Sequence, residues 1–365
     1  MQGSRHKFLG VICFVLWLLI LIFGLSPFNF HPTNRVTWLE GRNGIHFDRY
    51  GEAYSTVPLI PTVAATRHGY TVELWLHSSE ERYHSVSGIL SIDDPTKSAD
   101  FAIAQSSRDL LVRGQVLDQN NHITDRKLYI DLAFQGPQTR LVTVTSGAEG
   151  TTLYLDGISG GRYPVTLALS NFSGQLLLGH TSVGHQDWTG DLLGIALYER
   201  TLTASEVFED YKTWRESRTA ELTKREGIVG LYPFDERTGD VIHNRAGSAP
   251  DIIIPRQFRI LHRTILSFAS DLTRSNLDLR DIFINITGFV PFGFCLCTFL
   301  RSQQITKGKA IVLTVIIGGI TSLTIELLQV YLPSRDSSLV DVIDNIIGTM
   351  LGSVLPVWWL RLVPK

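Results

Sequence analysis

The chain has 365 residues, of which 44% are hydrophobic and only 19% charged, with a formal net charge of −2. That balance excludes a general basic surface for nucleic acid, and the length allows about two domains. The three cysteines, Cys13, Cys295 and Cys297, all lie in apolar runs, so the long polar middle of the chain cannot carry a disulfide framework.

Residues 8–25 form the first element, 18 residues without a charge, preceded by Arg5 and Lys7. Spanning the hydrocarbon of a bilayer takes about 20 apolar residues, so this run is long enough to cross. A cleaved signal peptide is the alternative. The Gly24-Leu-Ser26-Pro27 sequence lacks an A-x-A-like cleavage pattern, and an uncleaved anchor is expected.

From 36 to 214 the pattern changes to short alternating runs separated by turn residues, among them Asp156-Gly157 and Gly160-Gly161. Strands are expected at 71–77, 110–117, 127–134, 140–145, 151–156, 175–180 and 191–198. Many short strands at close spacing point to a β-sandwich rather than a βαβ fold. One helix is expected at 204–214, opened by the capping-box pattern Thr203-Ala-Ser-Glu206.

The stretches TVELWLHSS (71–79), LVTVTSGAEGTTLYLDG (141–157) and WTGDLLGIALYERTLTASEV (188–207) resemble the laminin-G-like, concanavalin A-like sandwich family. The resemblance covers about 36–215 and implies that fold. GLYPFDERTGDVIHNRAGSAPDIIIP (230–255) is similar to the segment that usually opens such domains, and WLEGRNGIHFDRYGEAYS (38–55) to the piece that follows it. The inverted order implies a circularly permuted sandwich in which 228–254 pairs beside the strand near 43–56. A degenerate second copy or a linker is the alternative. Permutation is preferred because 27 residues cannot make a core alone.

The resemblance also implies binding of glycans or proteins, sometimes with calcium. His180, His185, Asp187 and Trp188 fall close together in GHTSVGHQDW (179–188), and an aromatic face beside hydrogen-bonding groups suits a sugar ring. The plain alternative is a core tryptophan with solvated histidines. Asp93-Asp94 offers carboxylates to calcium, but two adjacent aspartates are an ordinary loop feature and no metal is assigned. Asn171-Phe-Ser173 fits a glycosylation pattern. In residues 255–270, Phe258, Leu261, Ile265 and Phe268 alternate with Arg256, Arg259, His262 and Arg263, which suits a helix lying in a membrane interface or under the sandwich.

Three more apolar runs follow, at 282–300, 310–332 and 342–360. Together with the first they predict a four-helix transmembrane bundle. Arg5 and Lys7, then Arg301, Lys307 and Lys309, then Arg361 and Lys365 all fall on one side of a four-pass chain, and the positive-inside rule makes that side the cytoplasm. Residues 26–280 then lie outside, in a multi-pass protein of the cytoplasmic (inner) membrane. The expected divisions are 1–30, 31–255, a connecting segment at 256–280, and 281–365.

Polar residues inside membrane helices are costly and usually face the bundle interior. Asp281 and Asn285, Glu326 and Gln329, and Asp341, Asp344 and Asn345 each share one face of their helix. At 1.5 Å per residue all fall within about 10 Å of the outer boundary, beneath Arg335 and Asp336 in the short loop. A shared outer-leaflet polar pocket is expected; the alternative is side chains merely reaching the headgroups.

The segments LSPFNF (25–30), DIFINITGFVPFGF (281–294) and SLTIELLQVYLPSRDSSLVDVIDNIIGTMLG (322–352) resemble the VanZ-like family of small membrane proteins. The match rests on Asp281, Asn285, Phe289, Pro291, Gly293, Glu326, Gln329, Arg335, Asp341, Asp344, Asn345 and Gly348. The departure is the large insertion where the family has a short loop. Some members are linked to glycopeptide resistance, so the resemblance implies an envelope setting, and the two modules together imply a bacterium. No Ser-His-Asp set, metal cluster or phosphate loop appears in the sequence. The reading is therefore a non-enzymatic envelope protein with membrane lipid and an external glycan or protein as partners, and without nucleic acid. The alternative is a membrane enzyme acting on a lipid-linked precursor through Glu326, Asp341 or Asp344, with Arg335 facing a phosphate.

Overall fold

The computed structural model describes residues 2–61, 69–79, 86–94, 101–117, 123–168, 172–181, 186–259, 265–266, 279–333, 335 and 337–362. The chain divides into two compact units, one of residues 32–261 and one of 1–31 with 262–365.

The first unit is a sandwich of two sheets. One contains β1 (Val36–Trp38), β2 (Ile45–Phe47), β14 (Gly190–Tyr198), β4 (Tyr70–Ser78), β9 (Arg140–Gly147), β10 (Gly150–Leu155) and β11 (Ile158–Tyr163) in that order, with β15 (Ile228–Tyr232) also pairing β14. The other runs β16 (Val241–Ile242), β17 (Ile252–Ile253), β3 (Ala53–Ser55), β12 (Gln175–Leu178), β5 (Val86–Asp93), β6 (Phe101–Ser106), β7 (Asp109–Leu117) and β8 (Ile123–Ile130), with β13 (Gln186–Asp187) pairing β5 in parallel. Period-two alternation builds the core. Val72, Leu74 and Leu76 of β4 point between the sheets with Val142 and Val144, Ile103, Val112 and Leu178. Fully burying one such side chain stabilises by roughly 1.5–3 kcal/mol.

Most expected strands match β4, β7, β9, β10, β12 and β14 within a few residues. The strand expected at 127–134 ends at Ile130, and 131–134 is a turn. Strands β5, β6 and β11 were not anticipated. β5 and β6 are buried on both faces, so polar and apolar residues do not alternate cleanly along them.

The outer face of the first sheet is covered by α2 (Ala204–Arg215) and a 3₁₀ turn at Thr219–Lys224. The capping box at Thr203 and Glu206 is formed on both sides. Trp214, Val207 and Leu222 pack there on Leu141, Ala196 and Tyr198.

Residues 228–253 belong to the sandwich. Ile195 of β14 pairs with Tyr232, and Ile252 and Ile253 pair with Ser55 and Tyr54. The ends of the unit meet as a short ribbon: Thr33 bridges Gln257, the Asn34 amide donates to the Arg256 carbonyl at 3.1 Å, and the Phe258 amide donates to Pro32 at 3.0 Å. This corrects the helix expected over 255–270: residues 255–259 are extended, because the backbone groups of 255–258 are taken by 32–34 and the Arg259 amide by Glu52. Leu261, His262, Arg263 and Phe268 lie outside the described residues.

The second unit consists of α1 (Gln2–Leu25), α3 (Leu279–Ser302), α4 (Lys307–Gln329) and α5 (Leu339–Leu362). Among the described residues three helices are long and apolar enough to cross a membrane: Lys7–Leu25, Arg280–Ser302 and Lys307–Gln329. The fourth expected span is present as the 24-residue α5, the side chains of whose last turns are not described. Outward-facing Phe14, Phe283, Val312 and Ile320 are all more than half exposed, the pattern of a helix surface solvated by lipid.

Small residues set the packing. A Cβ on Gly348 or Gly352 would collide with the carbonyls of Ile286 or Val290, so α5 lies backbone to backbone on α3 through a G-x-x-x-G stripe. Gly24 of α1 likewise sits against Ile325 of α4, and Trp17 Nε1 donates to Thr321 Oγ1 at 3.1 Å.

Candidate functional site

In the sandwich, the 179–188 stretch is not an open platform: Trp188 is a core residue, as the plain alternative had it, but His180 is not solvated. Trp188 is fully buried, and its Nε1 donates to Gln105 Oε1 at 3.1 Å. Its ring completes the core beside Phe47, at a centroid distance of 6.0 Å, and offers no face to a sugar. His180 and Asp187 bind each other, with Nδ1 at 2.7 Å from Oδ1, and both are nearly buried. Asp187 also accepts from the Tyr50 amide, and the His180 ring lies 4.4 Å from Phe258. His185 lies outside the described residues, as does Asn171.

These groups join the clasp at the ends of the sandwich. Buried Glu52 accepts from the Arg259 amide at 2.7 Å, and the Arg259 guanidinium lies 3.4 Å over the Tyr54 ring. Burial pushes the Glu52 carboxyl up, and the hydrogen bond from Arg259 partly pulls it back.

A different surface of the sandwich has the features expected of a sugar platform. Along β4, Glu73, Trp75 and His77 point to the outer face of the sheet, where Trp214 of α2 covers Glu73 and leaves Trp75 and His77 partly open. His77 pairs across β14 with Asp191, which pairs with His46 of β2, so the three side chains form a row. Asp191 accepts from His46 Nδ1 at 2.7 Å and from Arg42 Nη2 at 2.5 Å. Half-buried Trp75 stands one pleat along, edge-on to Tyr211 of α2 at 6.5 Å. Trp75 and His77 fall within the stretch that signalled the fold, but nothing local said which face would stay open.

In the helical unit, several of the expected polar residues share one end. Buried Asn345 of α5 donates to Ser322 of α4 at 2.9 Å. One turn further along α4, buried Glu326 accepts from the Ser338 amide at 2.8 Å, and Ser338 Oγ accepts from the Asp341 amide at 3.2 Å. Gln329 donates to the Gly24 carbonyl at 2.8 Å, and Arg335 reaches the Ser26 carbonyl at 3.4 Å, so the end of α1 belongs to the same level. Asp344 is buried, and the Gly348–Ile286 contact sets it level with the Asp281–Asn285 turn of α3. Asn285 is half-buried, whereas Asp281 is exposed. Asp336 lies outside the described residues. Among the described residues no three His, Cys, Asp or Glu side chains gather as cation ligands.

Residues 50–208 match the concanavalin A-like lectin/glucanases superfamily, and residues 208–360 match VanZ/LLP1. The chain joins a concanavalin A-like sandwich to a VanZ-like membrane domain. The VanZ/LLP1 match begins inside α2, so it includes the returning strands β15–β17. The apolar helices and this match make the chain a membrane protein.

No curated protein matches the sequence. Among solved structures, the receptor binding domain of botulinum neurotoxin D is 12% identical, covering 50% of this chain and 47% of that one at a TM-score of 0.35. The Ruminococcus gnavus IT-sialidase CBM40 is 13% identical over 47% and 97% of the two chains, with a TM-score of 0.34. A SAP-like pentraxin from Limulus polyphemus is 15% identical over 49% and 79%, with a TM-score of 0.32. The chain spans under half the length of the toxin structures it matches.

Proposed function

We propose that this is a multi-pass envelope protein that displays its sandwich outside the cytoplasm to bind a surface glycan. The observation that carries the reading is the outward row of His46, Asp191 and His77 beside half-open Trp75. An aromatic face takes the apolar side of a sugar ring, and the His46 ring and Arg42 guanidinium, held in place by buried Asp191, together with His77 take its hydroxyls. The charge pattern supports the placement: Lys307 and Lys309 follow α3 on the side that carries Arg5 and Lys7, opposite residues 32–261.

Two measurements test the reading. The first is binding of the detergent-solubilised full chain to an array of envelope glycans. Trp75→Ala and His77→Ala are expected to weaken binding at least tenfold while leaving the circular dichroism unchanged; unchanged binding in both removes the row as the site. The second is labelling of intact cells by an impermeant maleimide, after replacement of the native cysteines. Glu149→Cys in the sandwich is expected to react and Gln304→Cys not to; the reverse overturns the placement.

A second reading, chemistry on a lipid-linked precursor, is favoured by the gathering of Glu326, Asp341 and Asp344 at one level. It predicts that the envelope phenotype survives loss of Trp75 but not loss of the three carboxylates.

A further inference from the structure

Among the described residues, the helical unit leaves two buried side-chain acceptors without donors. Asp344 Oδ2 and Asn345 Oδ1 are buried and have no hydrogen-bond partner, although both residues are more than nine-tenths buried. The Asn345 amide nitrogen is spent on Ser322, which orients its free oxygen. An unpaired buried acceptor costs about 1–3 kcal/mol, and more when charged, so consecutive residues of α5 that each keep one are set up for a donor from outside the chain.

The local charge narrows that donor. At this level the described residues place four carboxylates, Asp281, Glu326, Asp341 and Asp344, against two arginines, Arg280 and Arg335. Glu326 has the Ser338 amide, and Arg335 has the Ser26 carbonyl. A hydroxyl donates one hydrogen bond and leaves the charge uncountered. A primary ammonium donates three and neutralises it. Access is from the end of the bundle, where Asp281 is exposed and Asn285 and Asp341 are half-buried.

We propose that Asp344 and Asn345 form a binding site for a primary ammonium group. Its source is the ethanolamine headgroup of a surrounding phospholipid or a free amine.

The test uses the full chain in nanodiscs of phosphatidylethanolamine mixed with phosphatidylglycerol, or of phosphatidylcholine with the same glycerol lipid. The quaternary choline group has no N–H to donate. Wild-type protein is expected to melt several degrees higher with ethanolamine lipid, and Asp344→Asn and Asn345→Leu to lose that difference while retaining helical circular dichroism in both lipids. If free ethanolamine added to choline-lipid discs restores the shift, the ligand is a soluble amine; if only the lipid does so, it is a headgroup. Equal melting of wild type in the two lipids, with no response to free ethanolamine, overturns the proposal. So does a lipid difference that persists in both variants, because it then arises elsewhere.

Discussion

The buried carboxyl groups Glu73 and Asp210 of the sandwich and Asp344 of the helical unit are treated in opposite ways by their surroundings. In the sandwich, Glu73 is fully buried, yet its Oε2 accepts from Trp214 Nε1 at 3.0 Å and its Oε1 from Thr143 Oγ1 at 3.4 Å. Nearby Asp210 accepts from Tyr198 at 3.0 Å and pairs with Arg225 at 2.6 Å. Every oxygen there has a donor from the chain, so the network fastens α2 to the sheet. Asp344 has no such supply at Oδ2. The Glu73–Asp210 network is structural, whereas Asp344, short of a donor, points to a missing partner.

The largest expected effect breaks the satisfied side. Trp214→Ala removes a buried indole and the donor to Glu73 together, and is expected to cost about 3–5 kcal/mol. The check is chemical denaturation followed by the β-sheet circular dichroism. A loss under 1 kcal/mol would mean that α2 is not held by this network.

In the helical unit, Gly348→Val is expected to cost about 1–3 kcal/mol, because the added side chain has no space against the Ile286 carbonyl. Melting in detergent reads this. Asp344→Asn in choline lipid is expected to leave the melting temperature unchanged or raise it, because the replaced charge had no donor at Oδ2. A marked loss would place Asp344 with the satisfied carboxylates of the sandwich.

A pH series sharpens the contrast. Burial first, and then the charge of Asp210, push Glu73 up to about 8. An acid raised in the folded state contributes stability that is complete below the ordinary carboxylate range and is lost as pH rises toward 8. The sandwich is therefore expected to be less stable at pH 9 than at pH 6, and Glu73→Gln to flatten that difference in denaturation midpoints.

The smallest effect is at the cap. Thr203→Ala should cost about 1 kcal/mol by freeing the first turn of α2. Glu206, held down to about 2 chiefly by its hydrogen bond from Arg200, should stay ionised in both proteins across ordinary pH.

The sequence by itself determined what depends on local pattern. Apolar runs of sufficient length marked the helices, period-two alternation marked most strands, and Thr203 with Glu206 marked the start of α2, because each signal lies within a single element. The returning segment 228–254 was legible too, through its likeness to a strand that usually comes first. Only the tertiary structure decided what depends on distance between elements. Trp188 reads in sequence as a ring beside hydrogen-bonding groups, and packing places it in the core. Arg256 and Arg259 read as one side of a helix, and pairing with 32–34 pulls them straight. Asp281, Asp344 and Glu326 look equivalent along the chain. Their difference lies in whether a neighbouring helix brings an N–H within about 3 Å, which side-chain spacing within one helix cannot specify.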